Sequence, residues 1–426
     1  MKILTNLGAT SRRLQFQDMH QSLLRLTALG VAFGAASLTA IGANQAPLEI
    51  AAILSLSGPY ASVGSMEARA INTSIALANA SGGVDGRPLT LHLFDDQSDT
   101  GHAYLLAEQI VRANTAVAII GGSTSPSCQA IHLATGPQHV LQFCLSGNYS
   151  NGATYFSSFA PAGDLFGALP AAFFAEHRLK RIAVIAPDTQ TGILYDRSLQ
   201  PALVDHDMQP LSRTFVNSRS AAINATLKAL RNRADAIYVG GDAAIEQATL
   251  QTIRKRHKRT TVWLVDMPLA NQAVHTFNGL LPRGPVYTAS SPIMLVNQLP
   301  TRAIERAGLL AYQHSFLRTN GLAPNVYAAV AADATNTILA GLHASGGATG
   351  LTLAQRIATL PPSVGLYANY HFNEHNHNGV IFRGTVAKLN QNGHLSYVET
   401  LQPNTNAPAR PQARAVQSLR RLAPGT

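Results

Sequence analysis

Residues 50–64 read IAAILSLSGPYASVG and residues 79–99 read NASGGVDGRPLTLHLFDDQSD, with a helical stretch between them and a second helix running on to Val111. The first segment is an unbroken apolar run that ends in a Ser-Gly-Pro-Tyr turn. The second opens on a glycine-rich loop and leads into another apolar run. Short apolar runs separated by helical stretches mark strands of a parallel sheet, because crossover helices cover both faces and leave no polar side. Residues 50–111 are therefore predicted to form a βαβα unit. In an open α/β sheet the ligand sits at the loops that follow the strands, and here those loops are polar and glycine-bearing.

The alternation continues outward from this unit. AVAIIGG (116–122) leads into the loop STSPSC and a short helix, followed by HVLQFCLSGNYSNG (139–152) and FSSFAPAG (156–163). RIAVIAP (181–187), ADAIYVGGD (234–242) and TVWLVD (261–266) repeat the grammar, with helices predicted around 221–231 and before the basic run RKRHKR (254–259). A long helix is expected at 326–347, a hairpin-like segment at 370–384 and a last strand around 386–389. A chain of 426 residues exceeds the usual single-core size, so two lobes are the natural expectation.

SGPYASVG (57–64), NASGGVDGRPL (79–89) and FDDQSD (94–99), in this order and spacing, resemble the periplasmic leucine/isoleucine/valine-binding proteins, the soluble receptors of ATP-binding-cassette importers. The resemblance extends over residues 46–401. It implies a type I periplasmic binding protein fold: α/β, with two doubly wound parallel-sheet lobes joined by a three-strand hinge. The layout it implies is a signal peptide (1–43), an N-terminal lobe (44–161 plus 289–369), a C-terminal lobe (162–288 plus 370–402) and a disordered basic tail (403–426). Crossings between lobes are expected near Ala160, Ala289 and Tyr370.

The formal net charge of +10 invites thoughts of nucleic acid, but its distribution argues otherwise. Residues 47–402 hold 24 basic and 21 acidic residues, so most of the excess lies at the two ends. At the N-terminus, Arg12, Arg13 and Arg25 precede the uncharged stretch LTALGVAFGAASLTAI (26–41) and a group of small residues, which is a secretory signal pattern with cleavage expected between Gly42 and Ala46. No cysteine stands at that junction, so a lipid anchor is not expected and the protein is placed in the periplasm. An uncleaved anchor and a start at Met19 are the alternatives. The two cysteines, Cys128 and Cys144, are allowed to pair in such a compartment, although spacing alone does not fix the bond. Cys128 is placed in the loop after one strand and Cys144 at the end of the next.

The candidate binding residues lie in loops after strands. Helix N-terminal amides and nearby hydroxyls hold a carboxylate well, and GGSTSPSC offers both through Thr124 and Ser125. The resemblance places Ser125 where a loop serine binds the α-carboxylate of an amino acid, and Ser146, Gly147 and Asn148 in the next contacting loop, with Asn148 standing where threonine is typical. Thr191 and Asp242 occupy positions where tyrosine is common, so an aromatic wall is missing. Asp266 lies near the family's acidic partner for the ligand ammonium group. Tyr60 and Ser57 belong to the first turn, where lining the cleft and capping the helix compete. His371, His375 and His377 in HFNEHNH invite a metal, but a polar hairpin turn is the reading preferred here, since zinc needs three or four convergent ligands. The run 254–259 reads as a solvated helix end, lacking the interleaved aromatics of a nucleic-acid surface.

No GxSxG, Walker A, GxGxxG or HExxH pattern is present, and no catalytic residue, metal or cofactor is expected. The expected function is capture of a small polar ligand, an amino acid or related amide or carboxylate, between two lobes, with delivery to a membrane permease by a monomeric receptor. The alternative is a ligand-sensing receptor for a signalling or cell-envelope partner on the same fold.

Overall fold

The structure is a computed structural model that describes residues 46–147, 152–160, 163–265, 277, 279–381 and 383–402. The signal segment and the basic tail of the sequence reading lie outside the described residues. The first sheet contains β1 (Leu48–Leu54), β2 (Leu89–Asp95), β3 (Ala116–Ile120), β4 (Gln142–Cys144) and β5 (Tyr155–Ser157), in the order β2-β1-β3-β4-β5 and parallel throughout. Alternate side chains explain the absence of a polar stripe. Ile50, Ala52 and Leu54 face the main core with α1 (Ala61–Ala80), while Ala51, Ile53 and Ile119 face α2 (Thr100–Ala113) and α3 (Ser125–Thr135).

Helix α4 (Leu169–Glu176) leads into the second sheet, in which β6 (Ile182–Pro187), β7 (Pro210–Val216), β8 (Ala236–Val239), β9 (Thr261–Leu264) and β10 (Val286–Ser290) are parallel and alternate with α5 (Gln190–Asp205), α6 (Arg219–Arg231) and α7 (Ala243–Lys255). After β10 the chain returns to the first sheet with α8 (Arg306–Asn320), α9 (Val326–Ser345), which packs along α1, and α10 (Gly350–Ala358). The ends of α9 follow local chemistry: the Asn325 side chain accepts from Ala328 N at 3.1 Å, and Gly346 closes the helix at φ 63°. A small sheet of β11 (Ser363–Val364), β12 (Asn369–Tyr370) and β13 (Val380–Ile381) follows.

The chain then re-enters the second sheet with β14 (Gly384–Leu389) and β15 (Leu395–Leu401), giving the order β15-β14-β10-β9-β8-β6-β7. This sheet departs from the purely parallel expectation, because β14 runs antiparallel to both β10 and β15. The short turn 390–394, closed by Asn390 N to His394 O at 2.8 Å, permits only an antiparallel return. One apolar cluster runs from Phe143 and Phe156 in the first sheet, through α9, to Phe173, Phe174 and Trp263 on the inner face of the second.

Candidate functional site

Each sheet has one place where successive crossovers leave in opposite directions, and loops at such a switch point line a crevice. In the first sheet it lies between β1 and β3, and in the second between β6 and β8. Backbone approach is close at both. A Cβ on Gly121 (φ +142°) would lie 2.1 Å from Ile53 O, and one on Gly241 (φ +93°) would lie 2.7 Å from Pro187 Cγ. The loops after β1 and β3 are tied by Ser55 N donating to Ser123 Oγ at 3.1 Å.

Ser125 opens α3 beside this first switch point. Its Oγ lies 2.9 Å from Ser146 Oγ in the loop after β4, and Gly147 follows against Phe159 and Ala160, so the structure brings these three residues together. The helix of Ser125 and the strand before Ser146 are joined covalently: Cys128 and Cys144 form a disulfide with Cα atoms 5.6 Å apart. Cys128 lies within the first turn of α3 and not in the loop before it, because Thr124 caps the helix by accepting from Ser127 N at 3.3 Å. The Thr124 hydroxyl also donates to Ser127 Oγ at 3.0 Å, so it is engaged in building the helix start. Asn148 lies outside the described residues.

Beneath these loops stands a group that the sequence reading missed. Ser123 Oγ donates to Glu67 Oε2 at 2.5 Å, and both side chains are buried. Burial raises Glu67 from its usual 4.5 to about 8; the Ser123 hydrogen bond opposes the rise and the charge of Asp96 adds to it. Asp96 is buried as well, with Oδ1 accepting from Ser98 N at 2.8 Å. The available signal was spacing: Glu67 falls on the same helical stripe as Ile71 and Ile75, which are buried. Its neighbour Asp95 behaves oppositely. Slight burial works to raise it, but the Ser57 side chain and the N–H groups of Gln97, Ser57 and Leu56 outweigh this and hold it below the usual carboxylate range. Tyr60 lies at the start of α1, 49% exposed, its N–H donating to Ser98 Oγ at 3.1 Å.

At the second switch point, Thr191 is exposed in the first turn of α5, whose cap is Thr189. Asp242 is exposed and caps α7, its Oδ1 accepting from Ala244 N at 2.7 Å and Ile245 N at 3.0 Å. The candidates thus divide between the strand ends of the two sheets. Asp266 lies outside the described residues.

The links between sheets carry their own polar network. Asp333 on α9 accepts from Leu366 N at 2.7 Å, Tyr367 N at 2.8 Å and Tyr370 Oη at 3.0 Å, and Tyr370 Oη also lies 3.0 Å from Ser158 O. Burial nevertheless raises Asp333 to about 7, against these bonds. The hairpin expected to finish the second lobe lies against β5 of the first sheet: Ser157 N donates to His377 O at 3.1 Å, and the His377 ring stacks on Phe156 with centroids 4.3 Å apart. His375 is exposed beside Glu374, so these histidines do not converge.

Among the described residues no helix is long and apolar enough to cross a membrane. The fold resembles several solved structures over the whole of their length. A putative branched-chain amino acid ABC transporter protein from Rhodospirillum rubrum shares 18% identity at a TM-score of 0.68, covering 83% of this chain and 100% of its own. The leucine-binding protein LivK from Thermotoga maritima shares 17% at 0.67, covering 84% and 99%. An ABC transporter substrate-binding protein from Desulfitobacterium hafniense, solved in complex with Leu, shares 17% at 0.68, covering 83% and 100%. None of the curated proteins matches the sequence. The family model for periplasmic binding protein matches residues 47–394, and with the two doubly wound sheets this establishes that the chain belongs to the periplasmic binding protein family and has its type I fold.

Proposed function

We propose that this chain is an exported receptor that captures a small polar ligand, an amino acid or a related amide or carboxylate, between two lobes and presents it to the permease of an ATP-binding-cassette importer. The lobes are residues 44–161 plus 289–369 and residues 162–288 plus 370–402, with the 370–381 hairpin of the latter packed on the first sheet, and the N-terminal segment 1–43 directs export. The observation that carries the reading is the pairing of Ser125 and Ser146, hydroxyls 2.9 Å apart at the start of a capped helix, where dipole and hydroxyls together favour a carboxylate. The leucine complex of the Desulfitobacterium hafniense protein agrees with this ligand class. Asp242 supplies negative charge from the other sheet for an ammonium group, joined by Asp266 of the sequence expectation. Closure then shifts an open–closed population toward the closed form.

The test is calorimetric titration and thermal unfolding with a panel of amino acids, amides and aromatic acids. A true ligand at a hundred times its Kd stabilises the folded state by about 2.7 kcal/mol. Ser125→Ala removes one hydrogen bond to a charged group, so affinity falls about tenfold to a hundredfold. A panel that produces neither heat nor a thermal shift overturns the reading.

A further inference from the structure

We infer that the strand-start edge of the second sheet is an electrostatic docking face for an anionic phospholipid surface. In the parallel part of this sheet the helices end where the next strand begins, so the C-termini of α4, α6 and α7 and the starts of β6, β8, β9 and β10 share one edge, with α5 and β7 at its border. That edge collects cations. Arg178, Lys180 and Arg181 lie between α4 and β6, and Arg231, the last residue of α6, and Arg233 precede β8. The run 254–259 begins in the last turn of α7 and continues toward β9, and Arg283 precedes β10. All of these side chains are exposed, and among the described residues none takes part in a salt bridge.

The connections place the segments side by side. Asp235 N donates to Arg181 O at 2.9 Å, Thr261 N to Asp235 O at 3.2 Å, and Val262 N to Pro285 O at 3.0 Å. Strands β6, β8, β9 and β10 are consecutive neighbours, and at roughly 4.8 Å per strand their starts span about 15 Å. The acids on this band are Glu176 and Asp235, and the Asp235 carboxylate accepts from Lys180 N at 3.1 Å and Arg181 N at 2.9 Å. Asp205 and Asp207 flank it before the edge strand β7. The opposite edge of the same sheet carries Asp188 and Asp242 with Arg219 and Arg383. The near-neutral body therefore conceals an oriented charge separation, with the basic band pointing away from the binding loops.

One or two cations suffice for a helix terminus; this density exceeds that need. A lipid surface fits better than a protein or nucleic-acid partner. The band lacks the aromatic anchors of a protein interface, and it has no aromatics for bases to stack on. Juxtaposed Lys and Arg attract anionic headgroups within a Debye length of the surface.

The experiment is co-sedimentation of the mature, full-length protein with vesicles of phosphatidylcholine alone or containing about a third phosphatidylglycerol. The expected result is at least about tenfold stronger partitioning onto the anionic vesicles, lost near 1 M NaCl, where the Debye length is about 3 Å. The variant Arg254→Glu/Arg256→Glu/Lys258→Glu should lower that partitioning at least about tenfold. The milder Arg178→Gln/Lys180→Gln/Lys255→Gln should lower it less, with thermal stability and cleft-ligand affinity unchanged in both. Equal binding to neutral vesicles overturns the inference. So does partitioning that survives both variants and disappears only when Arg410, Arg414, Arg420 and Arg421 of the tail are replaced. A short DNA duplex that binds as tightly as the anionic vesicles and displaces them also overturns it.

Discussion

Removing the disulfide tests how the first-sheet loops are held. Cys128 and Cys144 are 16 residues apart, and a loop of that size costs the cross-linked denatured chain about 10 cal/mol/K, or about 3 kcal/mol at 25 °C. Both sulfurs are fully buried, so Cys128→Ala/Cys144→Ala also leaves small cavities worth about 1 kcal/mol. The double variant should therefore lose about 3–5 kcal/mol in urea unfolding, followed by circular dichroism and by the fluorescence of the single tryptophan, Trp263. Unfolding wild-type protein with and without reductant isolates the loop contribution, which should disappear in the double variant. Because the bond joins the helix of Ser125 to the strand that leads to Ser146, ligand affinity should fall as well. If oxidised wild type and the double variant unfold within about 0.5 kcal/mol of each other, the reasoning fails.

Glu67 rises on folding from 4.5 to about 8, so the folded state binds the extra proton and stability falls as pH climbs through that window, by at most about 5 kcal/mol at about 1.4 kcal/mol per pH unit. Glu67→Gln should flatten this dependence, raising stability at pH 8 relative to pH 5 in thermal unfolding; an unchanged profile contradicts the assignment. Asp333, raised to about 7, works in the same direction between about pH 4 and 7, so Asp333→Asn should flatten that part of the curve. Tyr370→Phe deprives Asp333 and Ser158 O of a buried donor and should cost about 1–3 kcal/mol, measured by urea midpoint. Asp242→Ala should cost about 1 kcal/mol of stability through the lost cap, whereas Asp242→Asn keeps the cap and should weaken only ligand binding, read by calorimetry.

The alternation of buried runs and helices was legible because the inner parallel strands are covered on both faces, so β1 and β6 show no polar stripe. Helix starts were legible for a similar local reason, since Asp99, Ser218, Asp242 and Asn325 each satisfy amides only two or three residues away. The direction of β14 was not legible: it depends on which neighbour the strand meets. Glu67 was missed because a carboxylate within a helix reads as solvated until the fold turns that stripe onto Ser123.

The sequence by itself determined the layered α/β scaffold and the positions of the strand-end loops, because periodicity, caps and glycine turns act over a few residues. Only the tertiary structure decided what those loops do to one another. It paired Cys128 with Cys144 and Ser125 with Ser146, set Glu67 beneath Ser123, and gathered the cations from four separate segments on one edge. Each of these depends on contacts between residues distant in sequence, and such contacts exist only once the crossovers have laid the strands side by side.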